Sequence, residues 1–445
     1  MSILEKKVSL YTVALLLFVG IISVVFFGAT VRHALLEPES EVGDFQKVLL
    51  KIAEFPALVK DVLTLPQKSQ QINDGRFAAI DGFKKNDKLT AGVLADDGYL
   101  LLSTYDADKE QATVQLIQVN TQKTLHEWVP DIDHLNELNI LSEEYSKDII
   151  AASHFRLGHP LPVYGSRLVF TGFETGLYGM NLCGENDMFV DGTFHHSNEL
   201  DHEGNIWTPS VIYPHSFEQL GNFRDDSITK ISPTGDVLFK KSIAEILVEN
   251  SYRGLLSVGE KNKDPIHMND IQPALKNSEF WLKGDLLLSL RNRSTVMLYR
   301  PSTNKILWLK TGPWMHQHDM AFVDDHTISV FGNDVMFGKL FDGHNNVYFY
   351  DFKTDTISKP YEEIMKEARV RSSTEGRGTP LPDGDLFIEE TNNGRILRVS
   401  VDEVKWEYVR RIDKKTIALS SWSRYLTPHE AAPMLAQLKG NTCIQ

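Results

Sequence analysis

The chain has 445 residues, with 46 Lys and Arg against 60 Asp and Glu, a formal net charge of −14, and 42% hydrophobic residues. That is the composition of a folded protein with a sizeable core, in one large domain or as many as about three ordinary ones. The acidic balance excludes a nucleic-acid-binding surface, which needs a basic stripe. Cys183 and Cys443 are too few for a disulfide framework and too far apart for a Cys-x-x-Cys metal or redox motif, so one bridge and two free thiols both stay open.

Residues Val8 to Val31 form an apolar run without a charge, and about 20 such residues cross a bilayer as a helix. The small-residue pair of a signal-peptidase site is missing, since Phe27 and Ala29 precede Thr30, so the run predicts an uncleaved anchor. Lys6 and Lys7 lie before it, whereas Glu37, Glu39, Glu41 and Asp44 follow Arg32, which places the amino terminus in the cytoplasm and the rest of the chain outside it. Residues 1–34 are therefore expected as a cytoplasmic tip and transmembrane anchor, in contact with lipid through residues 8–31. In residues 35–74, Phe45, Val48, Leu49, Ile52, Phe55, Leu58, Val59 and Val62 repeat at three- and four-residue spacing. This predicts an amphipathic helix or stalk, with Pro56 a kink and Pro66 near its end.

From about residue 75 to 445 the pattern turns to short β-branched and aromatic runs between Gly, Asp and Asn turns, the mark of an all-β region. A turn and an apolar strand recur at Gly98-Tyr-Leu-Leu-Leu-Ser, Gly165-Ser-Arg-Leu-Val-Phe, Gly204-Asn-Ile-Trp, Gly284-Asp-Leu-Leu-Leu-Ser, Asp325-His-Thr-Ile-Ser-Val and Gly384-Asp-Leu-Phe-Ile, with spacings of 67, 39, 80, 41 and 59 residues. The shorter spacings match a four-stranded propeller blade of about 40 to 50 residues, and the longer ones require inserted loops near residues 173–195, 240–280 and 331–346. The expected fold is a six-bladed β-propeller behind the anchor and the short helix.

Histidines fall at matching places in this repeat. His196 precedes Ile206 by ten residues and His318 precedes Ile328 by ten; His267, ahead of the Gly284 strand, takes the same place with a longer loop. Rotation about a propeller axis would bring the three imidazoles together. Each alone also reads as a buried structural histidine, and three together also read as a metal site. Arg291 leads from the Gly284 strand toward the same funnel and suggests an anion site, with Asn269 and Asn292 adding neutral hydrogen-bond capacity. Which of the neighbours His195 and His196 faces the funnel stays open.

Asp264-Pro-Ile-His-Met-Asn-Asp-Ile, Gly284-Asp-Leu-Leu-Leu-Ser-Leu-Arg-Asn-Arg-Ser-Thr-Val, Ile306-Leu-Trp-Leu, Gln317-His-Asp-Met and Thr379-Pro-Leu-Pro-Asp-Gly-Asp-Leu-Phe-Ile, in this order, resemble the bacterial arylsulfate sulfotransferases over roughly residues 190 to 400. The resemblance implies a six-bladed propeller in the periplasm, anchored here in the inner membrane. It implies transfer of a sulfuryl group from an aryl sulfate ester to a phenolic or other hydroxyl acceptor, with no nucleotide sulfate donor, cofactor or metal. By motif, His318 corresponds to the histidine that becomes sulfated, His267 and Asn269 to the family's His-x-Asn element, Arg291 to the arginine after the next strand, and His196 to the histidine of an earlier blade. His318 would attack sulfur in a ping-pong scheme, Arg291 and Asn269 would hold the substrate, and His267 or His196 would move the proton. The family's small amino-terminal β-domain, which helps dimerise, is replaced here by anchor and helix, and no cysteine pair flanks His318; whether the chain forms a homo-oligomer is left open. The competing expectation is a membrane-tethered propeller that binds a partner without catalysis, its histidines structural.

Overall fold

In a computed structural model, residues 9–36, 43–53, 70–73, 76–77, 79–85, 88–89, 94–140, 149–165, 167–217, 223–257, 264–335 and 343–440 are described. They fall into two compact units, residues 1–67 with 217–222, and the rest. In the first unit Leu10–Leu36 is one helix. Its Leu10–His33 segment, 24 residues long, would span about 36 Å at about 1.5 Å per residue, more than the roughly 30 Å hydrocarbon core. Such a helix fits a single-pass anchor or a signal sequence alike. Residues 44–53 are helical, with Phe45, Val48 and Ile52 exposed. The remainder of the expected amphipathic segment, Phe55 to Pro66, lies outside the described residues, as do Lys6, Lys7 and Cys443. Cys183 is disulfide-bonded.

The second unit is mostly β and propeller-like. Three sheets have four strands each. One runs Met268–Pro273, Leu286–Leu290, Thr295–Arg300 and Lys305–Thr311, and the next His318–Phe322, Thr327–Gly332, Asn346–Asp351 and Thr356–Ser358. The third joins Arg424–Leu426, near the carboxyl end, to Tyr99–Asp106, Gln111–Gln118 and Lys123–Trp128. A fourth sheet, Arg377–Pro380 through Val404–Val409, takes in Gly82–Lys85 and Lys88–Leu89 at its outer edge. Strands from the two ends of the unit thus pair with sheets of the opposite end.

The remaining strands correct the expectation of six separate blades. Four sheets of four or more strands stand alone, as does a two-stranded ribbon of Gln71–Asn73 and Thr416–Ala418, while Gly158–Val163 through Val237–Ser242 form a single eight-stranded sheet. Its two four-strand halves are fused because Thr193 and Phe194, at the end of Asn186–Phe194, pair with Val211 and Ser210. Residues 173–195, expected as an inserted loop, are mostly the paired strands Thr175–Asn181 and Asn186–Phe194. The 13-residue helix Pro428–Gly440 also goes beyond the sequence reading; it buries only Ala431 and Met434, too few to write a helical stripe.

Burial explains the strand sequences. Leu286–Leu290 (LLLSL) and Leu386–Glu390 (LFIEE) are buried throughout, because neighbouring sheets cover both faces. Outer strands such as Lys305–Thr311 alternate. The turns before the inner runs place Gly204 and Gly384 at φ +83° and +85°, a backbone region a side chain rarely tolerates.

Four strands carry carboxylates that accept backbone hydrogens from the next sheet or from the residues leading into it. Asp226 Oδ2 accepts from Met268 N at 2.6 Å, Asp270 Oδ2 from Met320 N at 2.6 Å, Asp319 Oδ2 from Gly378 N at 2.9 Å, and Glu389 from Trp422 N and Ser423 N at 2.7 and 2.6 Å. All four carboxyl groups are buried, and burial pushes Asp270 up to about 7 and Glu389 upward as well; a hydrogen bond contributes about 0.5–1.5 kcal/mol, or about 1.5–3 kcal/mol where the group is charged. Asp319 also accepts from Arg377 Nε at 3.0 Å and Thr379 Oγ1 at 2.8 Å. Asp319→Ala removes the nearest carboxylate of the buried Arg377, leaving it Glu199 at 3.9 Å and Ser423 O at 3.3 Å, and should lower unfolding free energy in urea by about 2–4 kcal/mol. The exposed control Glu363→Ala should stay within about 0.5 kcal/mol; equal, small losses would contradict this clasp.

Candidate active site

The inner ends of these strands bring the predicted histidines together. The His196 ring centroid lies 5.1 Å from that of His267 and 6.2 Å from that of His318. The strand register explains how. The inner pairs Leu200–Ile206, Pro273–Leu286 and Phe322–Ile328 are equivalent, and four residues before each comes His196, Asn269 and His318. His267 therefore does not share the register of the other two histidines, which corrects the sequence reading. It reaches the cluster from two residues earlier through a left-handed backbone at φ +50°, and His196 at +58° and His316 at +44° are left-handed as well. Non-glycine residues in that region cost of order 1 kcal/mol each and gather at functional sites.

Each ring is held at Nδ1. His318 Nδ1 lies 2.5 Å from Asn333 Oδ1 and 3.1 Å from His316 O. His267 Nδ1 pairs with Asp264. His196 Nδ1 meets His195 Nδ1 at 2.8 Å, and His195 Nε2 faces Asp226 at 3.4 Å, an electrostatic contact rather than a well-aligned hydrogen bond. His196 is thus the ring in the cluster and His195 the one behind it.

Burial, then the Arg291 charge, holds the His318 imidazole well below its ordinary basicity. Burial, then His195 and His267, does the same to His196, and His316 is pushed down to about 4 by burial, Arg291 and His267. These rings are neutral near pH 7.

Arg291 sits on the 3-10 turn Arg291–Arg293, whose backbone is tied to the His267 loop by Arg291 N to His267 O at 3.1 Å and Asn292 N to Ile266 O at 3.0 Å. Its Nη1 donates to Asn292 Oδ1 at 2.9 Å and its Nη2 to Thr374 Oγ1 at 3.3 Å. Burial draws its basicity down, with Asp264 and Glu375 acting against that. Asn269 donates to Gln317 O at 2.8 Å. Several buried polar atoms here have no partner, among them Arg291 Nε, His318 Nε2 and Asn269 Oδ1, with His316 Nδ1 and Gln317 Oε1 beside them.

Sequence reasoning missed the surroundings. Phe173 and Trp422 stack with centroids 5.0 Å apart and stand 6.0 and 5.7 Å from the His196 ring. Arg156 covers Phe173 at 4.5 Å and grips Glu375 through two nitrogens at 2.9 and 3.0 Å. Asn333 and Asp264 were also missed. Of these, Asp264 carried a signal, standing three residues before His267. As for a metal, the nitrogens of the three rings are not gathered as ligands would be; among the described residues that arrangement occurs at Asp324, Asp325 and His326, in an exposed turn.

None of the curated proteins matches this chain in sequence. In structure it is similar to a protein of unknown function from Bacteroides caccae, 13% identical over 74% of this chain and 99% of that one, with a TM-score of 0.48. It is also similar to the WD40 β-propeller domain of Doa1, 14% identical over 82% and 99% with a TM-score of 0.41, and to a streptogramin B lyase, 10% identical over 78% and 98% with a TM-score of 0.40. The family described as arylsulfotransferase (ASST) matches residues 175–411, a stretch of more than half the chain that takes in His196, His267, Asn269, Arg291 and His318. The chain belongs to the arylsulfotransferase family.

Proposed function

We propose that this chain moves a sulfuryl group from an aryl sulfate ester to a phenolic or other hydroxyl acceptor, through a sulfohistidine at His318 and without a nucleotide sulfate donor. The observation that carries this reading is the buried, unpartnered Nε2 of His318, on a neutral ring beside a desolvated guanidinium. A buried polar atom left unpaired costs about 1–3 kcal/mol, and several in one place are costly for a scaffold and useful for an enzyme.

The sulfate monoester, a monoanion, is held by Arg291, whose Nε supplies a donor not used within the protein. His318 Nε2 attacks sulfur as the S–O bond to the aryl group breaks, and the departing phenolate takes a proton from His267. His267 suits that task because it alone of the three rings has a carboxylate partner, Asp264, to orient it and balance its charge. His196, neutral and deeply buried, lines the site. Asn269 Oδ1 is an acceptor, which a sulfate anion does not satisfy but an acceptor's O–H does, so we assign Asn269 to the acceptor. In the second half-reaction the acceptor oxygen attacks sulfur, its proton goes to His267, and the N–S bond breaks to restore His318. The Phe173 and Trp422 rings suit an aryl group. Residues 1–34 would anchor the protein in the bacterial inner membrane with its amino terminus in the cytoplasm, 35–74 would be a spacer, and 75–445 would work in the periplasm, where the disulfide at Cys183 would persist.

With para-nitrophenyl sulfate and phenol, the full-length protein in detergent should release nitrophenolate continuously, and His318→Asn should slow release by roughly 10³-fold or more, the scale on which removing a nucleophile acts. Release unaffected by the substitution would contradict this route. Protonation removes the attacking lone pair, so the rate is lost as pH falls; because the His318 basicity is depressed in the fold, the acid limb of kcat/KM should lie below the ordinary imidazole value of about 6.5. A limb at or above that value would contradict a buried neutral nucleophile.

A further inference from the structure

Resting on the sulfuryl-transfer reading, we infer that Asn333 is a positioning residue that locks the His318 tautomer and keeps the sulfated ring reactive. Its orientation is over-determined: the Nδ2 amide donates to Ser372 O at 2.9 Å and to Glu375 O at 2.8 Å, which uses both of its hydrogens. A flipped amide would set Oδ1 against two carbonyl oxygens. Oδ1 must therefore face His318 Nδ1, 2.5 Å away. The second neighbour of that nitrogen, His316 O at 3.1 Å, is also an acceptor. Between two acceptors Nδ1 carries the hydrogen, and a neutral imidazole has only one. Nε2 is left with its lone pair.

The segment that fixes Asn333 is itself braced. Asn345 donates to Ser372 O at 2.9 Å and to Gly332 O at 2.8 Å, and accepts from Ser372 N at 2.6 Å. The same segment meets Arg291 through Thr374 and Arg156 through Glu375. Nucleophile and anion holder are thus referenced to one stretch of backbone, within about four residues of chain.

An amide suits this place better than a carboxylate. When the N–S bond forms and the aryl S–O bond breaks, the ring retains its Nδ1 hydrogen and becomes a sulfated imidazolium, a good leaving group. An amide oxygen is too weak a base to remove that hydrogen. A carboxylate there would take it, leaving a neutral sulfated imidazole that gives up its sulfuryl group slowly. In the second half-reaction the N–S electron pair returns to Nε2, Nδ1 still protonated, and the acceptor's proton goes to His267.

The test uses the full-length protein in detergent with nitrogen-15-labelled histidine, the His318 signals being assigned by comparison with His318→Asn. The resting wild type should show a protonated Nδ1 and an unprotonated Nε2, and Asn333→Leu, of nearly the same volume, should lose that preference. Its kcat should fall about 10- to 100-fold, as for other residues that orient a working histidine, with KM for the donor within about twofold. Asn333→Asp should keep the first nitrophenolate burst but pass the group to phenol at least about tenfold more slowly, so that sulfated enzyme accumulates. A protonated Nε2 in the wild type overturns the lock even if transfer proceeds. An Asn333→Asp protein that turns over at the wild-type rate overturns the second role. Absence of transfer from any aryl sulfate, with the expected tautomer present, overturns the functional reading and leaves the lock standing.

Discussion

The centre of the β unit is built on one constraint: polar groups withdrawn from water must be paired, and here buried carboxylates pair with backbone hydrogens of the neighbouring sheet. Asp226 takes the hydrogen of Met268, the residue after His267; Asp270 takes that of Met320, two after His318; Asp319 takes that of Gly378. The first two clasps hold the strands that carry Asn269 and His318. Beside these clasps Arg291 Nε, His318 Nε2 and Asn269 Oδ1 are buried without a partner inside the protein, so groups free for chemistry stand on or next to the strands that the clasps hold.

Electrostatics follow from the same arrangement. The chain is acidic overall, yet His318 is held below its ordinary basicity by burial and Arg291, and His196 by burial and the neighbouring His195 and His267. A neutral ring beside a fixed cation suits attack on an anionic ester, since the cation draws in the substrate without protonating the nucleophile. His267 has a carboxylate, Asp264, at its Nδ1, and it is the ring to which the proposed proton transfer is assigned.

Much of this was legible in the sequence, for reasons that also explain what was not. The recurring glycine turn before an apolar strand revealed the sheets, and counting ten residues back from the strand found His196 and His318, because both lie at one register position. The count failed for His267, whose register partner is Asn269, since a left-handed kink cannot be read from residue type. Fusion of two four-strand units depends on the pairing of Thr193 and Phe194 with Val211 and Ser210, which leaves no mark in composition. Asn333 sits 15 residues beyond His318 across a strand pair, and Trp422 more than 100 beyond it. Such neighbours come from the fold's closure and not from any local motif.

The central claim, that His318 carries the sulfuryl group between two half-reactions, is tested most directly by mixing the full-length protein with para-nitrophenyl sulfate in the absence of acceptor. The account predicts a burst of one nitrophenolate per chain, with a sulfuryl group recovered by mass spectrometry on the peptide containing His318 and discharged when phenol is added. Nitrophenolate formed only when phenol is present, with no modified peptide, would mean direct transfer between the two substrates and would contradict it.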